Sequence, residues 1–247
     1  MRYIYDNSYE GLLSAVYEVF AFCDKNAEIV AERDLAGPSL YETRETPADE
    51  AHAASVSDWL ERLGPNVSGA FYIAWLSREE GIDDLILAVM RIAKKHKCDP
   101  FALRQYRQVC ELDGARRRVG NEAHRMLQFV RFVKLEERVY AADIRTDYDV
   151  LQLIGEHFHR RFRDVAFMIR DVERRRAILS NPKEWYIAEL PDYNPPIRGD
   201  DKYEQLWREY FKTIAIEQRV NLRLQQQFVP KKYRSTMTEF QSDEPAS

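Results

Sequence analysis

The sequence predicts an α+β protein: a mostly helical N-terminal half, then an antiparallel sheet in the order strand, strand, helix, strand, strand, and a long C-terminal helix. Three observations predict it. Apolar residues recur at helical spacing in the first half, as in Leu12, Leu13, Val16, Val19 and Phe20. From Gln128 the pattern becomes alternation rich in β-branched and aromatic residues, FVRFVKL and then RVYAADI. Near the end, Tyr203, Leu206, Trp207, Tyr210, Phe211 and Ile214 line one side of a helix over about 201–226. The same reading divides the chain into a helical region at 1–115 with a short N-terminal strand, an α+β core at 116–240 and a disordered tail at 241–247.

The elements follow in order. RYIY at the start reads as a short strand, and Asp6, Asn7 and Ser8 as a turn that caps the first helix. Residues 36–55 hold Gly37-Pro38 and few aliphatics, which predicts a surface loop. A short helix is expected from Ser57 to Leu63, ending at Gly64-Pro65, and others over 69–77 and 82–95. Asp99-Pro100 predicts a further helix over 100–110, and another covers 115–127. FVRFVKL and RVYAADI form a hairpin. Asp147 caps a helix from Tyr148 to Phe162, with Leu151, Ile154, Phe158 and Phe162 on one face. VAFMIRD and RRAIL are the next two strands, which Trp185, Tyr186 and Ile187 extend, and the prolines of 190–199 predict a loop.

Composition excludes several classes. With 45% hydrophobic and 12% aromatic residues the 247-residue chain can bury a sizeable core. Three scattered cysteines, Cys23, Cys98 and Cys110, make no zinc or iron–sulfur pattern and suit a reduced cytoplasm. The polar start is unlike a signal peptide, and no stretch approaches the ~18 apolar residues of a membrane span. The expectation is a cytoplasmic protein with no membrane partner. The net charge of −4 hides an asymmetry: residues 1–64 carry −8, residues 235–247 carry −3, and the middle carries +7. A basic body with acidic ends fits a polyanion partner, and a solvated charged surface fits it equally.

Chemistry-bearing patterns are few. GEHFHRRF at 155–162 offers Glu156, His157 and His159, all metal-ligand types. Residues two apart on a helix point roughly 200° away from each other, so no metal is expected there. There is no P-loop, G-x-G-x-x-G or G-x-S-x-G, and no cofactor is expected. The arginines are more suggestive: Arg116 to Arg118, then Arg125 and Arg131 with His124, then Arg160, Arg161 and Arg163, then Arg170 and Arg174 to Arg176. Phe129, Phe132, Phe158, Phe162 and Phe167 are interleaved with them. Guanidinium binds phosphate bidentately and stacks on rings, which fits DNA or RNA contact. Arginines paired to the many carboxylates are the alternative.

Four strings in order along the chain resemble proteins of the DUF4130 family. They are YIYDNSYEGLLSAVYE at the start, HRMLQFVRF at 124–132, HFHRRF with MIRDVERRRAI over 157–178, and LWREYFKTIAIEQRVNLRLQQQFVPKKYRSTMTEF over 206–240. The chain departs from the family at Leu127-Gln128, where relatives usually carry a glycine. The resemblance implies a role in DNA metabolism beside a radical SAM protein that looks like a DNA modification or repair enzyme. Some relatives are fused to a uracil-DNA glycosylase-like domain, a second expected partner. The chain lacks the cysteine triplet of a radical SAM cluster, so that chemistry would belong to the partner.

The matching positions give the candidate residues. Arg125, Arg131, Phe132, Arg161, Phe162, Arg174, Arg219, Asn221 and Tyr233 are the expected nucleic-acid contacts. His124, His157 and Asp171 are the catalytic candidates if the protein is instead a DNA-acting enzyme, such as a nuclease or a glycosylase-like one. A third reading is a protein–protein adaptor that docks through the acidic N-terminal 64 residues.

Overall fold

RYIY does not stand alone: it is the centre of a three-stranded, all-parallel sheet. In the computed structural model, which describes residues 1–35, 42–136 and 138–190 and no side chains at 135 and 136, β1 (Arg2–Tyr5) pairs with β2 (Glu28–Ala31) and β3 (Thr43–Glu45). The chain divides into two units, Met1–Gly120 and Asn121 onward.

In the first unit, α1 (Tyr9–Ala21) follows β1 directly. Ser8 caps it, its hydroxyl accepting from the Gly11 N–H at 2.9 Å. Asp6 in turn accepts from the Ser8 N–H at 3.1 Å. A side chain at Gly11 would meet the Asp6 carboxylate at 2.2 Å, so this turn needs glycine there. The expected loop over 36–55 is corrected in part: 36–41 lie outside the described residues, but β3 follows and α2 (Glu50–Leu63) begins early. The reason is a cap that the loop reading overlooked. The Asp49 carboxylate accepts from the His52 N–H at 2.9 Å, ahead of an alanine-rich first turn.

Helices α3 (Val67–Trp75) and α4 (Ile82–His96) complete the helical half. Leu12, Val16, Ile29, Leu60, Phe71, Ile86 and Met90 form its core. The helix expected over 100–110 is corrected to a single 3-10 turn at Pro100–Ala102, followed by α5 (Arg107–Phe129). Val109, Leu112, Ala115, Val119, Ala123 and Met126 keep helical spacing without a break and are all buried. That periodicity also carries the helix past Leu127, so the strand placed at FVRFVKL begins only at Val133.

The second unit holds a five-stranded sheet, β4 (Val133–Glu136), β5 (Val139–Ile144), β6 (Ala166–Asp171), β7 (Arg176–Ser180) and β8 (Trp185–Glu189), in sequence order. The antiparallel expectation is corrected at one pair: β5 and β6 run parallel, in register from Val139–Ala166 to Ile144–Asp171. Between them lies α6 (Leu151–Arg161), and a crossover helix returns the chain to the same end of the sheet. The other three pairings are antiparallel. Asp147 does not cap α6, which has Val150 at its N-cap position and no side-chain cap. The helix packs tightly on β8: a Cβ at Gly155 would meet the Trp185 ring at 2.3 Å. The expected loop over 190–199, apart from Leu190, the long helix over 201–226 and the tail lie outside the described residues.

Candidate functional site

Helix α6 carries most of the second unit's candidate chemistry, and its two ends differ. Along the helix Leu151, Ile154 and Phe158 are buried, and Phe158 lies towards its C-terminal end. Phe132 sits at the centre of an aromatic cluster, with ring centroids 5.4 Å from Phe158, 4.7 Å from Phe162 and 5.7 Å from Phe167. Around it stand exposed Arg160, Arg161 and Arg163. Arg160 bonds Glu156 one turn earlier, and Glu156 also accepts from the Trp185 indole N–H at 3.0 Å. Those two donors hold the Glu156 carboxyl below its ordinary range. Basic side chains here are favoured by the helix C-terminus, whose free carbonyls carry partial negative charge.

At the N-terminal end of α6, where β5 and β6 finish, the polar groups are buried. Asp171, the last residue of β6, is fully enclosed. Its carboxylate accepts from Arg174 Nη1 at 2.9 Å and from the backbone N–H groups of Glu173 and Arg174 at 3.1 and 3.2 Å. The Thr146 hydroxyl lies 3.4 Å away. Burial pushes the Asp171 carboxyl above its ordinary range, and Arg174 pulls against it. The Arg174 guanidinium also donates to the carbonyls of Thr146, at 2.9 Å, and Asp147. Nearby, Arg176 donates to buried Asp149 at 2.7 Å. On the opposite face of the sheet, buried Arg170 grips Asp143 through two bonds of 2.6 and 2.8 Å.

These contacts sort the sequence-derived residues. Phe132 and Phe162 come together, and so do Asp171 and Arg174. Arg161 and Arg174 lie at opposite ends of α6, a helix roughly 16 Å long at ~1.5 Å per residue. The three catalytic candidates each meet different neighbours: exposed His124 bonds Gln128 one turn along α5 at 3.0 Å, His157 lies edge-on to Phe158, and Asp171 bonds Arg174. Arg125 is exposed on α5, and Arg131 is half-buried, donating to the Gln128 carbonyl at 2.8 Å. Arg219, Asn221 and Tyr233 lie outside the described residues. His159 Nδ1 is 2.9 Å from the Ser180 hydroxyl. Among the described residues, no group of three His, Cys, Asp or Glu side chains is placed to hold a metal ion. Among them, too, no helix is long and apolar enough to cross a membrane.

Sequence reasoning held carboxylate-paired arginines as the alternative but named none of the pairs. Asp113 holds Arg116 and Arg117, at 2.6 and 2.9 Å, and Glu79 holds Arg118 through two bonds of 2.9 and 2.6 Å. A signal was present for the first: Asp113 precedes those arginines by three and four positions, a spacing that faces side chains together on a helix. Nothing local signals Glu79.

The fold and these ends of α6 define an α+β protein with a parallel β–α–β crossover, arginine-rich at both ends of its helix. The domain family described as DUF4130, a domain of unknown function, matches residues 80–239, and the chain belongs to that family. No curated protein and no solved structure matches the chain.

Proposed function

We propose that the protein is a DNA-metabolism accessory protein that binds nucleic acid and works beside a radical SAM enzyme. The observation that supports this reading is the C-terminal end of α6, where exposed Arg161 and Arg163 flank Phe162 over the aromatic cluster. Neither arginine has a carboxylate partner among the described residues, so both guanidiniums are open to phosphate. Arg125 extends the exposed basic surface along α5, within the second unit. Phe132 and Phe162 contribute by fixing where these arginines stand. Arg174 is committed to the Asp171 cluster and contributes structure. The radical SAM partnership, and a uracil-DNA glycosylase-like partner as a second, rest on the family resemblance alone.

Fluorescence anisotropy with a labelled oligonucleotide tests the binding. The full chain binds at ~50 mM salt and loses affinity steeply as salt rises, because each phosphate contact releases counterions. Arg161→Ala and Arg163→Ala each lower the slope of log affinity against log salt by about one. Absence of binding at ~50 mM salt, where phosphate contacts are strongest, defeats the reading.

A further inference from the structure

The first unit holds a second arginine cluster, which the α6 surface does not use. Where the 3-10 turn at Pro100–Ala102 leads into α5, a surface cavity of about 200 Å³ opens, lined by Phe101, Arg104, Cys110, Asp113, Gly114 and Arg117. Asp113 is in its wall, and three guanidiniums gather around it. Arg116 donates to it from Nε and Nη2 at 3.0 and 2.6 Å, Arg117 Nη2 lies at 2.9 Å, and Arg104 Nη2 at 4.0 Å. Arg116 is also poised over the Phe101 ring, 5.8 Å from its centroid. Burial alone would raise the Asp113 carboxyl, but Arg116 and Arg117 outweigh it and hold it below its ordinary range.

We propose that this cavity binds a phosphate dianion, taken either as the terminal phosphomonoester of a nucleic-acid strand or as free phosphate. The charge balance is the first reason. Three guanidiniums face one carboxylate, and none of the three has another carboxylate partner among the described residues, so two positive charges are left over. A phosphomonoester carries close to two negative charges at neutral pH, whereas a backbone phosphodiester carries one.

Donor supply is the second reason. Each guanidinium has five N–H groups, and Arg117 Nη2 and Arg104 Nη2 stand 2.9 and 4.0 Å from the Asp113 carboxylate. Both are largely exposed, at 55% and 69%, so their remaining donors reach the opening. Asp113 therefore acts as a brace that keeps like charges together instead of letting them spread. Size is the third reason. The cavity is smaller than the ~300–1,000 Å³ of pockets for drug-sized ligands, and suits a phosphate group with little else. Gly114 forms part of its wall without a side chain, and the nearest atom to a Cβ there is the tip of the flexible Arg118 side chain at 3.3 Å. A glycine inside a helix costs about 0.5–1 kcal/mol relative to alanine, and an open cavity wall is a reason to carry that cost.

The terminal-phosphate form of the proposal rests on the nucleic-acid reading, and the free-phosphate form does not. The test uses the full chain with two probes. Calorimetry follows inorganic phosphate, with chloride as the control. Anisotropy compares one single-stranded oligonucleotide with a 5′-phosphate and with a 5′-hydroxyl. The expected result is phosphate binding in the wild type, and about tenfold tighter binding of the phosphorylated strand, the scale of one charge-assisted contact set. Arg117→Ala removes both effects. Gly114→Leu removes both by crowding the cavity wall while leaving the charges of Arg104, Asp113, Arg116 and Arg117 in the chain. Phosphate binding with no preference for the phosphorylated strand supports free phosphate as the ligand. Oligonucleotide binding that ignores the 5′ end, with no binding of inorganic phosphate, overturns the cavity proposal and leaves the α6 surface standing. Phosphate binding without any oligonucleotide binding defeats the nucleic-acid reading and keeps the cavity.

Discussion

Each unit buries a carboxylate beside the C-terminal end of a parallel strand, and the two solve the same problem with different donors. In the first unit, Asp83 at the start of α4 accepts from the hydroxyl of Tyr5, the last residue of β1, at 3.0 Å. That hydroxyl accepts in turn from the Trp75 indole N–H at 3.1 Å. In the second unit, Asp171 at the end of β6 accepts from a guanidinium and two backbone N–H groups. A neutral donor offsets little of the cost of burying charge, and burial pushes the Asp83 carboxyl up to about 6. Asp171 is also raised, with Arg174 opposing the rise. Burial raises both acids, and the guanidinium bonded to Asp171 opposes the rise more directly than the hydroxyl bonded to Asp83.

Four substitutions, two in each unit, break or sharpen the contrast between the units. The largest effect is expected at Asp171. Asp171→Ala leaves Arg174 partly buried without its carboxylate and should cost about 3 kcal/mol, read from urea unfolding at pH 7. A cost near zero would show that Arg174 needs no partner there.

Asp83 is expected to go the other way. Its folded carboxyl titrates near 6 and its unfolded one near the ordinary ~4, so the unfolded chain ionises first. Stability is therefore fully present below pH ~4 and falls as pH rises through 6, by about 3 kcal/mol in all. Asp83→Asn keeps an acceptor for Tyr5 and removes the charge. It should stabilise the protein by about 2 kcal/mol at pH 7 and flatten the decline between pH 4 and 7. Unchanged pH dependence in this variant would assign the decline to other groups.

The smallest effect separates two helical glycines. Gly155→Ala drives a methyl into the Trp185 ring and should cost about 1–3 kcal/mol. Gly114→Ala meets only the Arg118 tip and should gain about 0.5 kcal/mol from helix propensity. Thermal melts of the two variants should move in opposite directions.

Much of this architecture is legible in the chain's periodicities. The helical spacing of Leu12 to Phe20 and of Leu85 to Ala93 marks α1 and α4 because one face of each helix must leave water. The β5, β6 and β7 strings carry short apolar runs for the same reason. What escapes is anything decided at a distance. Strand direction between β5 and β6 depends on the whole intervening helix, and no dipeptide in RVYAADI or VAFMIRD carries it. The start of α2 depends on one capping bond from Asp49, and the end of α5 on apolar positions persisting through Met126. For the site, the apolar face that carries Phe158 and Phe162 follows from hydrophobic pattern, but neither the meeting of Phe132 with Phe162 nor the enclosure of Asp171 does. A carboxylate at a strand end reads the same in sequence whether it faces water or Arg174.

The parallel pairing of β5 with β6 also sets an order of events. Strands β6, β7 and β8 can zip as they leave the ribosome, because Asp171 meets Arg176 across a short turn. Val139 finds Ala166 only after the intervening chain has closed a much longer loop. Closing that loop costs entropy before any pairing rewards it. The β6–β8 meander should therefore gain protection from hydrogen exchange before β5 does, in a pulse-labelling experiment started from unfolded protein. On this ordering β4 and β5 join last, so Phe132 reaches its aromatic cluster, and the exposed arginines take their final places, only as the second unit finishes folding.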